Sequence, residues 1–144
     1  MLDWKKYLVS VIVVFVVCFL LSYLIHELLL AGDYARQPGL WRTQTEIWKR
    51  MPLAYFAQLI FALAFCFIYT KGVEAQKHWL GQGLRYALLV ASLMFVPVAL
   101  VLYVIEPLEL ALAFKWVVFG YGQILVLGAV VAAIYRLPTG LPRP

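Results

Sequence analysis

The chain has 144 residues, a formal net charge of +5, 65% hydrophobic residues and a mean hydropathy of +0.91. Soluble domains are about 45–50% apolar, so this composition excludes an ordinary globular protein and leaves room for one domain with no soluble catalytic module. The basic residues sit at the ends of apolar stretches rather than in one patch, which points to topology anchoring against anionic lipid and not to nucleic acid.

Four stretches carry no formal charge: Tyr7–Ile25, Met51–Thr70, Tyr86–Ile105 and Trp116–Tyr135. Each is about 20 residues long, the length of helix that crosses a hydrocarbon core of roughly 30 Å. The expected fold is all-α: a single four-helix transmembrane domain over residues 1–144, with spans at about 7–30, 52–70, 85–105 and 111–135. The first span is too long for the core of a signal peptide, and His26-Glu27 makes a poor cleavage context, so it reads as a retained helix.

The first connection is the only large one. Thr43-Gln-Thr-Glu46 has the form of a capping box, which predicts a short helix there. Trp41 and Trp48, seven apart, would share its face at headgroup level, and Pro52 would restart the chain as the second span. A plain connecting loop anchored by tryptophan is the alternative. In the second connection Lys71-Gly72 is a helix stop and Gly81-Gln-Gly83 precedes the third span. Pro97, near the middle of that span, removes an amide donor and predicts a kink. In the last span Gly120, Gly128 and Ala132 form a stripe of small residues suited to close packing inside the bundle, with a dimer interface as the alternative. The tail from Pro138 is rich in proline and glycine and is expected to be unstructured.

Counting Lys and Arg sets the orientation. With the N-terminus inside, Lys5, Lys6, Lys71, Lys77, Arg85, Arg136 and Arg143 are inner, and Arg36, Arg42, Lys49, Arg50 and Lys115 are outer. This excess places both termini on the cytoplasmic side of the inner membrane. A tandem repeat is also legible. A shift of 80 pairs Phe15 with Phe95, Tyr23 with Tyr103 and Ile25 with Ile105, and a shift of 66 pairs Tyr55 with Tyr121 and Tyr69 with Tyr135. Two helices per unit would make a parallel repeat about the membrane normal.

Polar side chains within spans need partners. Gln58 and Gln123 fall at equal depth on helices of the same direction and are expected to face the interior, bonded to each other or to water. His26 and Glu27 lie at the outer end of the first span, and the 80-residue shift aligns His26 with Glu106. The expectation is a polar site at the outer mouth formed by His26, Glu27, Glu106 and Lys115. Such a site could bind a metal ion or titrate through the histidine. The plainer reading is helix-end polarity, with Glu27 bonded to Lys115 or Arg36.

No CxxC or HExxH spacing is present, and Cys18 and Cys66 lie at different depths, too far apart for a disulfide. His26 and His78 lie at opposite ends of the spans and cannot together ligate a haem. No cofactor is therefore expected, and no nucleophile–base pair stands at plausible spacing, so no catalytic residue is assigned.

Glu109-Leu-Ala-Leu-Ala113, Gly120-Tyr121 and Gly128-Ala-Val-Val-Ala-Ala-Ile134 resemble the closing span of a family of short bacterial four-helix integral membrane proteins of unknown function. The first span departs, with Leu24-Ile-His-Glu27 where that family has a Trp-Tyr-x-Pro pattern. The resemblance implies the fold and a bacterial membrane, and brings no activity. The expectation for function is a non-catalytic membrane protein: an accessory subunit or small binding protein whose partners are the lipid bilayer and another membrane protein or a second copy of itself. The alternatives are a small oligomeric transporter or channel, and a cofactor-anchoring membrane enzyme subunit.

Overall fold

Asp3 opens the first helix: its carboxylate accepts the Lys6 N–H at 3.1 Å and satisfies a donor that the helix itself leaves free. The computed structural model describes residues 3–74 and 76–136, and the expectation for the tail from Pro138 lies outside them. All regular structure among the described residues is helical. The order is α1 (Trp4–Tyr23), a wider π-helical turn (Leu24–Leu29), α2 (Ala31–Ala35), α3 (Gln44–Lys71), α4 (Trp79–Ile105) and α5 (Leu110–Tyr135). Four helical stretches, Trp4–Leu29 and the three long helices that follow, are long and apolar enough to cross a membrane. Val11, Val13, Val14, Val16 and Val17 are weak helix formers in water, yet they stand in regular helix, where length and apolar surroundings outweigh propensity.

The capping box forms as its pattern predicts. The Thr43 hydroxyl accepts the Glu46 N–H at 3.4 Å, and the Glu46 carboxylate accepts the Thr43 N–H at 3.2 Å. The helix it starts does not stop before the apolar span. α3 is one helix that continues through Pro52 to Lys71, which corrects the expectation that Pro52 begins a new element. Proline removes one hydrogen bond, to the Trp48 carbonyl, and its fixed φ is helical, so a well-capped helix continues past it. Nor do the two tryptophans share a face. Trp41 stays outside the helix and packs edge-on to Tyr34 and Trp116, with ring centroids 5.0 and 6.1 Å away, whereas Trp48 is exposed on α3.

Contacts between helices run in descending register and show that consecutive long helices alternate in direction. Tyr7 Oη donates to the Leu63 carbonyl at 3.1 Å, and Phe19 packs on Tyr55. Gln123 reaches Cys18, and Ser92 meets Tyr121 at 2.6 Å. α1 lies between α3 and α5, and α4 packs most extensively on α5. α3 and α4 meet at the end that carries the 72–78 connection, where Tyr86 Oη donates to the Phe65 carbonyl at 2.6 Å. Gln82 ties that connection down. Its oxygen accepts the Glu74 N–H at 2.7 Å, and its amide donates to the Glu74 and Lys77 carbonyls at 2.7 and 2.9 Å.

The α4–α5 seam is built from small residues. A Cβ on Gly83 would strike the Gly128 carbonyl oxygen and lie 2.6 Å from the Ala132 Cβ. A Cβ on Gly128 would strike the Gly83 carbonyl oxygen and lie 2.6 Å from the Ala87 Cβ. Two backbones approach this closely only where side chains are absent. Gly120 takes the Phe95 ring in the same way, so the small-residue stripe of α5 serves internal packing. α4 remains helical across Pro97, which leaves the Leu93 carbonyl without its usual donor.

Two buried clusters result. The larger joins Val14, Phe65, Cys66, Ala91, Leu127 and Val131 from all four long helices. The smaller joins Ile25, Leu30, Ala99, Leu108 and Leu112 at the end that carries the 30–43 connection. Both cysteines are free and buried.

Candidate functional site

Between the two clusters, at the end of α1, the helix widens by one turn. The Leu30 N–H donates to the carbonyl of Ile25, five residues back, at 2.8 Å. Such turns carry an extra residue, re-aim the side chains beside them and are frequent at functional sites. Here the turn carries His26 and Glu27. His26 borders two hollows at once. One is a cavity of about 160 Å³ among α1, α4 and α5, lined by Ile25, Phe95, Val98, Ala99, Trp116, Gly120 and Gln123. The other is a groove of about 510 Å³ along the side of the bundle between α1 and α3. Glu27, Ser22, Tyr23, Gln44, Trp48, Tyr55 and Gln58 line this groove with the apolar Phe19, Ile47, Met51 and Ala54.

The imidazole is held from behind by α2. His26 Nδ1 is 2.6 Å from Tyr34 Oη, and the Trp116 indole donates to the same oxygen at 2.9 Å. The two rings of the His26–Tyr34 pair stack with centroids 6.0 Å apart. Indole N–H can only donate. The arrangement that gives both the indole and the phenol proton a partner has Tyr34 accepting from Trp116 and donating to His26 Nδ1. The neutral ring then carries its own proton on Nε2. Burial pushes the Tyr34 phenol above its ordinary pKa of 10.0, so the hydroxyl proton stays in place through the physiological range.

α2 is fixed in turn by Asp33, which is only 7% exposed. Lys115 Nζ donates to both of its carboxylate oxygens, at 2.7 and 2.8 Å, and Arg36 also pairs with it. Hydrogen bonding from Lys115 holds the Asp33 carboxyl below its ordinary range, against the opposing pull of burial.

His26 and Glu27 share the groove. Glu106 lines a different hollow, of about 240 Å³, with Leu40, Trp41, Leu102, Leu108 and Trp116. Among the described residues no hydrogen bond or ion pair joins His26 to Glu106, and Lys115 pairs with Asp33 rather than Glu27. Gln58 and Gln123 bond to α1 and not to each other. Gln58 donates to the Phe15 carbonyl at 2.8 Å. Gln123, 9% exposed, donates to the Cys18 carbonyl at 3.1 Å and to Ser22 Oγ at 2.8 Å. Their targets on α1 are three residues apart, about 4.5 Å at helical rise.

The sequence patterns above assign none of Asp33, Tyr34 and Trp116 to the site. The usable signal was an Asp-Tyr pair in a connection level with the lone lysine of the last span. Among the described residues no group of three His, Cys, Asp or Glu side chains could hold a metal ion. Comparison with protein-family models, with curated proteins and with solved structures finds no match to this chain.

Proposed function

We propose that this chain is a non-catalytic, multi-pass membrane protein that binds a partner molecule in the lateral groove between α1 and α3. The single observation that supports this reading is the groove itself. A hollow of about 510 Å³ lies in the range of ligand sites, ~300–1,000 Å³, and most of its wall is apolar. Two of its polar groups, His26 and Glu27, stand on one widened turn of helix. One of them, His26, is oriented by two further side chains, Tyr34 and Trp116. That is the arrangement of a pre-formed binding site, in which the polar groups fix the ligand's orientation and the apolar wall supplies most of the affinity.

The four apolar helices support insertion in a bilayer, where exposed Leu89, Leu93 and Val104 would face lipid chains. The excess of basic residues supports the cytoplasmic side of an inner membrane for both termini. The matched residues at shifts of 80 and 66 support descent from a tandem pair of helical hairpins. A second copy of the chain or another membrane protein belongs to the same reading, since a laterally open groove can be closed by a neighbour.

The test is extraction and purification of the full chain with gentle detergent, followed by mass spectrometry of what stays bound. A small molecule retained by the wild-type chain and lost from Met51→Trp, which fills the groove, is the expected result. Equal retention by both chains overturns the reading.

A further inference from the structure

We propose that the groove between α1 and α3 takes an amphiphilic cation, an apolar chain with one ammonium-type head. The inference rests on the reading of the groove as a binding site and names its ligand class.

Charge carries the argument. Among the described residues Glu27 is the one formally charged side chain lining the groove. Among the described residues it has no ion-pair partner. The His26 ring nitrogen Nδ1 is engaged with Tyr34 Oη, and among the described residues no hydrogen bond or ion pair joins His26 to Glu27. Glu27 is exposed in the groove, and a carboxylate beside an apolar wall attracts an opposite charge more strongly than one in bulk water. An anionic head would be repelled by it, and a neutral head would leave it unpaired. A cationic head neutralises it.

The rest of the lining fits the same ligand. Tyr23, Trp48 and Tyr55 border the groove with Glu27, and aromatic faces attract cations, most of all when water is excluded. The amide of Gln58 is spent on the Phe15 carbonyl, so its own oxygen remains as an acceptor. Ile47, Met51 and Ala54 recur at spacings of four and three on α3 and form an apolar track for the chain of the ligand.

The test uses the full chain in nanodiscs of zwitterionic lipid and measures equilibrium binding of dodecyltrimethylammonium, dodecanol and dodecyl sulfate. Wild type, Glu27→Gln, Glu27→Asp and Met51→Trp are compared, each checked for retained helicity. The expected result is saturable binding of the cation alone. Glu27→Gln weakens it about tenfold or more, Glu27→Asp keeps most of it, and Met51→Trp abolishes it. Suppose dodecanol or dodecyl sulfate binds as tightly as the cation, indifferent to Glu27→Gln but blocked by Met51→Trp. The ligand class then falls and the groove stands. If none of the three binds saturably, or if cation binding survives Met51→Trp, the ligand class and the groove reading both fall.

Discussion

Asp33 and Lys115 are 82 positions apart in the chain and meet through both carboxylate oxygens, at 2.7 and 2.8 Å. The pair fastens α2, a helix of five residues with no stability of its own, to the first turns of α5. Once α2 is fixed, Tyr34 is in place to orient His26. The ion pair therefore acts on the groove at one remove, through position alone.

The first prediction concerns pH. The Asp33 carboxyl is held below its ordinary range in the folded chain, so the unfolded chain binds its proton more readily. The pair's contribution is fully present above the unfolded pKa, about 3.9, and is lost as pH falls through the lower folded value. Thermal unfolding in detergent should show a drop in Tm below about pH 4. In Asp33→Asn the Tm should be lower at neutral pH and flatter on the acid side. Parallel acid limbs in the two proteins would remove the pair from the account. Asp33→Lys and Lys115→Asp should each destabilise, and the double exchange should recover part of the loss.

At the α4–α5 seam, Gly83→Ala or Gly128→Ala should destabilise by about 1–3 kcal/mol, because the added methyl meets backbone and has nowhere to go. Gly122→Ala, with nothing within 4 Å of the added Cβ, should be neutral or slightly stabilising, since alanine is the better helix former. Unfolding in mixed micelles measures both. Equal effects at Gly83 and Gly122 would show that the helices do not touch where the structure has them touching.

The two glutamines should differ. Gln123 is buried and serves both the Cys18 carbonyl and Ser22, whereas Gln58 is half-buried and serves the Phe15 carbonyl alone. Intramembrane hydrogen bonds average about 0.6 kcal/mol and reach about 1.7. Gln123→Leu should fall toward the upper figure and Gln58→Leu toward the lower. Ser22→Ala should be non-additive with Gln123→Leu and additive with Gln58→Leu.

Tyr34 should set the tautomer of His26. Nitrogen-15 spectra of the labelled ring should show a proton on Nε2 and none on Nδ1 in the neutral protein. Tyr34→Phe removes the partner of both Nδ1 and the Trp116 indole, so the tautomer preference should relax and Trp116 emission should shift. A ring protonated on Nδ1 in the wild-type chain would reverse the His26–Tyr34 bond, with Tyr34 then accepting from both the imidazole and the Trp116 indole.

Much of the fold could be read from residues alone, because the physics involved is local. An apolar helix has a length set by its uncharged run, so four charge-bracketed stretches specify four long helices. Thr43 and Glu46, three apart, specify a capping box whatever surrounds them. Gly128 and Ala132, four apart, specify a face that another helix can approach closely. None of these depends on which helix lies beside which.

Tertiary structure decided the rest, since it depends on which distant groups arrive first at a shared position. Depth placed His26 and Glu106 level with each other, but α2 brings Tyr34 against the imidazole. Depth likewise placed Lys115 within reach of Glu27, and the buried Asp33 captures it instead. The widened turn at Leu24–Leu29, the continuation of α3 through Pro52 and the central position of α1 all follow from packing of whole helices. A polar group near an apolar core takes the partner that satisfies it most completely. That choice is made among residues far apart in sequence, and only their arrangement in space reveals it.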